Sequence, residues 1–83
     1  MIEKKIKDIL KNKIKDSKVF IQDMNGNQDH FSVMVISSEF ENLSIINQHK
    51  MIYDALGSMV TNEIHALQIK TYTHAEWKKN NKQ

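Results

Sequence analysis

The sequence predicts an α+β domain: a three-stranded mixed sheet with helices packed on one face, in the order αββαβα. Three observations carry this reading. Ile2, Ile6, Ile9, Leu10 and Ile14 recur at helical spacing, with lysines filling most of the positions between them. From Phe31 the alternation is strict, Phe31, Val33 and Val35 facing one way and Ser32, Met34 and Ile36 the other. A second helical pattern then separates this strand from a third. Such a crossover makes the two strands it joins parallel, whereas a hairpin makes the first strand antiparallel to the second.

Taken in order, the first helix covers about residues 2–15 and ends near Asp16-Ser17. Val19, Phe20 and Ile21 are strand formers. Met24-Asn25-Gly26-Asn27 interrupts them with turn chemistry, in a loop that runs to Asp29. Ser37 to Leu43 connects onward and carries Phe40, an aromatic expected on the core. Ser44 is placed to cap a helix over about residues 44–61, whose apolar face is read as Ile45, His49, Ile52, Tyr53, Leu56, Met59 and Val60. Gly57 is a point where that helix can break. The third strand runs from Ile64 to Tyr72, with His65, Leu67, Ile69 and Thr71 on one face. Thr73 and Glu76 have capping-box spacing and open a short helix bearing Trp77. Residues 1–77 are thus expected to form a single domain and residues 78–83 a disordered basic tail.

Composition narrows the function. Eighty-three residues make one small domain, and 40% hydrophobic with 27% charged residues is ordinary for a folded chain. A chain this short buries roughly 60–65% of its unfolded surface, too little for a deep cofactor pocket to be expected. No apolar run approaches the ~20 residues of a membrane span, and the Lys-rich start is amphipathic, so the expectation is a soluble, cytoplasmic protein without a membrane partner. Cysteine is absent, which removes thiol nucleophiles, disulfides and any self-sufficient iron-sulfur site. All twelve basic residues are Lys, so the bidentate forks that read guanine or clamp phosphate are missing. Charge is patterned: +4 over residues 1–18, −5 over 19–69 and +3 over 70–83. With two glycines in the chain there is no phosphate-cradling loop, and no Ser elbow or paired carboxylates stand out, so an enzyme is not expected.

Four histidines remain as candidates for site chemistry. No pair is spaced i, i+4, so no helical metal site is built in. His30 precedes the second strand and His65 opens the third, and parallel strands begin at the same edge with neighbours about 4.8 Å apart. The two are therefore expected on one rim. His49 has the parity of a helix core face, and His74 falls in the first turn of the last helix.

Phe40-Glu41-Asn42-Leu43-Ser44, Gln48-His49-Lys50-Met51-Ile52-Tyr53-Asp54-Ala55-Leu56, and Ile64-His65-Ala66-Leu67-Gln68-Ile69-Lys70-Thr71-Tyr72-Thr73 with Glu76-Trp77 together resemble the BolA-like proteins. The resemblance runs from the first helix to Trp77 and is most specific around His65 and Lys70 to Thr73. It implies a fold similar to type II KH domains and a non-enzymatic role in iron-sulfur cluster assembly and trafficking with a monothiol glutaredoxin, the chain alone being a monomer or weak homodimer. A [2Fe-2S] cluster would be held only in complex with the glutaredoxin and glutathione, whose thiolates this chain cannot supply. His65 matches the family's histidine before the third strand, and His30 falls on its His-or-Cys loop position. Both are thereby metal-ligand candidates, His30 as a second ligand or a tuning neighbour.

Three positions depart from the family pattern: Lys50 stands for Arg, Asn42 for Gly and His74 for Pro. Asn tolerates positive φ, and His at the first helical position forfeits only preorganisation. The alternative implied by the same resemblance is a DNA-binding transcriptional regulator, with Lys70, Lys78, Lys79 and Lys82 as the contacts to nucleic acid. The missing GXXG loop, the lack of Arg and the acidic middle weigh against it.

Overall fold

The computed structural model describes residues 2–24, 26, 30–62, 64 and 66–81. Its elements are α1 (Ile2–Lys13), β1 (Ser17–Asp23), β2 (His30–Ser37), a 3-10 turn (Ser38–Phe40), α2 (Ile45–Leu56), α3 (Met59–Asn62), β3 (Ala66–Tyr72) and α4 (His74–Asn81). The sheet order is β1-β2-β3, with β1 antiparallel and β3 parallel to β2. The mixed three-stranded sheet and the αββαβα order are those the sequence predicts.

Residues in register form rows across the sheet. Val19, Val35 and Thr71 make one row, and Ile21, Val33 and Ile69 the next. Their side chains share the face covered by α1 and α2. There Ile6, Leu10, Ile14, Val33, Val35, Phe31, Phe40 and Ile52 are sealed from solvent. The expected burial of Phe40 is met, and Ser44 caps α2 by accepting from the Asn47 amide at 3.1 Å. The helix breaks at Gly57, which has φ 58°. Its amide still donates to the Tyr53 carbonyl at 2.9 Å, and α3 begins two residues later.

The core face of α2 is rotated from the one its apolar residues suggest. Ile45 and Tyr53, expected inside, are 58% and 43% exposed, whereas Gln48 and Ala55 are buried. The cause is a polar requirement. The Gln48 amide donates to the carbonyls of Phe40 (3.2 Å) and Leu43 (2.9 Å), groups that no helix or strand serves, and its Oε1 accepts from the Thr71 hydroxyl at 2.6 Å. One side chain thus ties the connector, α2 and β3 together, because buried carbonyls left unpaired are costly.

The last helix refines the layering. The capping box is present: the Glu76 amide donates to Thr73 Oγ1 at 3.1 Å and the Thr73 amide to Glu76 Oε1 at 2.8 Å. α4 then continues to Asn81, so Lys78 and Lys79 lie on a helix and not in the disordered tail expected from residue 78 onward. Lys82 and Gln83 are outside the described residues. Trp77 stacks on Phe20 (ring centroids 5.8 Å, 26° between planes) and tilts against Tyr72 at 5.9 Å. By strand alternation these two rings lie on the sheet face away from α1 and α2, where Ile36 is also fully buried. The long helices share one face as expected, and α4 reaches the other.

Trp77→Ala should lower stability by about 3 kcal/mol, the low end of the range for truncating a packed aromatic, because the indole is only partly buried. An unchanged melting temperature would show α4 to be merely appended. Gln48→Ala should cost about 2 kcal/mol, since it removes the acceptor of the buried Thr71 hydroxyl and the donor to the Leu43 carbonyl, while the Phe40 carbonyl keeps the Leu43 amide at 3.2 Å. In a double-mutant cycle with Thr71→Val, urea unfolding should give a coupling of about 1–2 kcal/mol, and simple additivity would remove the Gln48–Thr71 bond from this account.

Candidate functional site

The candidate site begins at the turn between β1 and β2. Asp23 ends β1 and its Oδ1 accepts from the Gly26 amide at 2.9 Å, the local bond by which an aspartate starts a turn, while Gly26 takes φ 78°. The chain re-enters the sheet at His30, whose carbonyl accepts from the Met24 amide at 2.8 Å. Residues 25 and 27–29 of this loop lie outside the described residues.

His30 is the first residue of β2 and is in register with Ala66, the first residue of β3. The two strand starts therefore share one rim, as the topology required. His65, the principal candidate ligand, lies outside the described residues, and its chain neighbour Ala66 is the register partner of His30. His30 is half-buried and lines a cavity of about 300 Å³ together with Met24, Phe31, Ala66, Leu67 and Gln68. Met24 was not singled out by the sequence. Only the pairing of the hairpin ends puts it beside His30, and the residue count of the loop is the signal that could have found it.

A neutral imidazole offers one lone pair to a metal while its other nitrogen donates and is thereby oriented. Among the described residues no group of three or more His, Cys, Asp or Glu side chains is close enough together to hold a metal ion.

The remaining candidates lie apart. Lys70 is exposed in the middle of β3, in register with Met34, and Lys78 and Lys79 are exposed on α4. Met34 stands four residues along β2 from His30, about 13 Å at the rise of a strand, so these lysines make a basic region on the α4 side and not at the histidine rim. His49 is half-buried on α2. His74, for which no function was expected, is a structural tie: its Nε2 is 3.1 Å from both the carbonyl oxygen and Oδ2 of Asp16, a residue at φ 54° in the turn after α1. Asn42 adopts φ 67°, the conformation that glycine would have supplied.

The BolA-like protein family matches this chain over residues 2–76. A BolA-like protein of Dictyostelium discoideum is 44% identical over 57 residues, covering 68% of this chain and 50% of its own length. The DNA-binding transcriptional regulator BolA of Escherichia coli is 38% identical over 52 residues, covering 63% of this chain and 50% of its own length, so the chain spans about half of each of these two relatives. Among solved structures, a BolA homologue from Coxiella burnetii superposes with a TM-score of 0.75 at 34% identity, covering 88% of this chain and 91% of that one. A family match across nearly every element described above, together with this shared fold, establishes that the chain belongs to the BolA-like protein family.

Proposed function

We propose that the protein is a non-enzymatic cytoplasmic factor that shares a [2Fe-2S] cluster with a monothiol glutaredoxin during iron-sulfur cluster assembly or trafficking. The cluster is cargo, held only in the complex. The glutaredoxin cysteine and a bound glutathione supply thiolates, His65 supplies an imidazole to one iron, and His30 is a second ligand or orients the first. The observation that carries this reading is the register of His30 with Ala66, which sets an imidazole beside the start of the strand that His65 immediately precedes.

The absence of cysteine gives the reading its chemistry. Each neutral imidazole that replaces a thiolate removes one negative charge from the ligand shell, and a mixed thiolate and histidine shell holds a cluster at higher potential than four thiolates do. A chain that brings imidazole and no thiolate can therefore tune a cluster that a partner's thiolates hold. Membrane attachment is no part of the proposal, and no helix among the described residues is long and apolar enough to cross a membrane.

A second reading draws on the Escherichia coli relative described as a DNA-binding transcriptional regulator. Lys70, Lys78 and Lys79 would then contact phosphates from the α4 side. The two readings respond differently to salt: each phosphate contact releases counterions, so binding to nucleic acid weakens steeply as ions are added, whereas metal ligation does not.

Mixing the chain with a cluster-loaded monothiol glutaredoxin should change the visible absorption and circular dichroism, and the chain alone should bind no cluster. His65→Ala should abolish or remodel the shared cluster at a folding cost within about 1 kcal/mol, and His30→Ala should act in the same direction but less. A His65→Ala titration that matches wild type in spectrum and affinity would overturn the ligand assignment. A coloured cluster retained stoichiometrically by the purified chain would overturn the need for a partner.

A further inference from the structure

The hairpin sets a thioether beside His30. The antiparallel register of β1 and β2 runs out to the pair Asp23 and Phe31, and the 2.8 Å bond from the Met24 amide to the His30 carbonyl makes Met24 and His30 the next pair. Residues directly opposed across antiparallel strands project from the same face, with Cβ atoms about 4.5–5.5 Å apart. Phe31 is buried on the other face, so this pair stands on the open one. The third residue of the row is Ala66, whose methyl group is too small to fill the space beside the imidazole. Both side chains line the cavity there. Met24 is 50% exposed, so core packing does not account for a thioether at this position.

The donor set selects its ion. Thioether sulfur is a soft ligand that favours monovalent d10 cations, and imidazole is accepted by the same ions. Zinc asks for four ligands in a tetrahedron, and the described residues provide no cluster from which to draw them. Copper(I) and silver(I) are satisfied by two donors. Met has three rotatable side-chain bonds, so the sulfur can be brought toward the His30 ring within the cavity the two side chains line. We propose that Met24 and His30 form a two-coordinate site for a soft monovalent cation of the copper(I) or silver(I) class. The site uses this chain alone and does not depend on the cluster reading, although a cation on His30 would withhold that imidazole from any other metal.

The test uses the full chain with methyl-labelled methionine, titrated with silver nitrate in chloride-free buffer and followed by NMR. The Met24 methyl and the His30 ring should shift together and saturate at one equivalent. Met24→Leu should weaken binding by about tenfold or more, while Met34→Leu, which removes a thioether from the same face, should leave it within about twofold. Zinc(II) should leave the Met24 methyl in place. Three outcomes would each overturn the site: wild-type silver affinity in Met24→Leu, a methyl shift at Met34, Met51 or Met59 that saturates at less silver than the Met24 shift, or a zinc(II) shift of Met24 equal to that of silver. Because no glutaredoxin is present, these outcomes are independent of whether a cluster is shared.

Discussion

The parallel pairing of β2 with β3 is the constraint on which both the core and the site depend. Parallel neighbours cannot be joined by a tight turn, so the chain must cross over, and α2 and α3 make that crossing. Once across, β3 is locked by the Thr71 hydroxyl on Gln48, which also satisfies the carbonyls of the connector. The period of a strand is two, so a slip of one residue would exchange its faces. Phe31 at 1% exposure and Val33 and Val35 at 0% prevent that slip, and in doing so they hold His30 on the open face. The orientation of the candidate ligand is thus enforced by the burial of its apolar neighbour.

Much of this was legible in the residues. The alternation from Phe31 to Ile36, the helical spacing of Ile6, Leu10 and Ile14, the cap at Ser44 and the Thr73–Glu76 box are local signals, and local signals survive folding when tertiary packing agrees with them. The face of α2 was legible in part: Ile52 and Leu56 are buried as their spacing suggests, but hydrophobic periodicity ranks Ile45 and Tyr53 above Gln48. The demand of the Phe40 and Leu43 carbonyls for donors is set by a connector whose path is known only after folding. The reach of α4 is similar. Its sequence is poor in apolar residues, yet one residue separates it from β3, and from there Trp77 meets Phe20 and Tyr72 on the second face. The extension to Asn81 follows from a helix already started by its capping box, since propagation is easier than nucleation.

The rim was legible in part. That His30 begins a strand parallel to the one His65 precedes follows from topology alone, and the register with Ala66 agrees with it. The neighbour across the hairpin was hidden because loop closure, and not residue type, decides which β1 side chain stands opposite His30. A methionine near an Asn-Gly turn carries no signal of its own.

The three departures from the family pattern bear on what this rim can do. Asn42 takes the positive φ that glycine would take, and His74 replaces the rigidity of proline with contacts to Asp16 that join the start of α4 to the turn after α1. Lys50 is exposed on α2, where a cation remains without the planar fork. Each change concerns backbone support or surface charge, and none lies in the row formed by Met24, His30 and Ala66. The donors in that row are therefore an imidazole and a thioether, both neutral. Neutral donors do not offset the charge of iron and sulfide in the way thiolates do, so the chemistry of this edge is completed either by a partner that brings thiolates or by an ion that needs few and soft ligands.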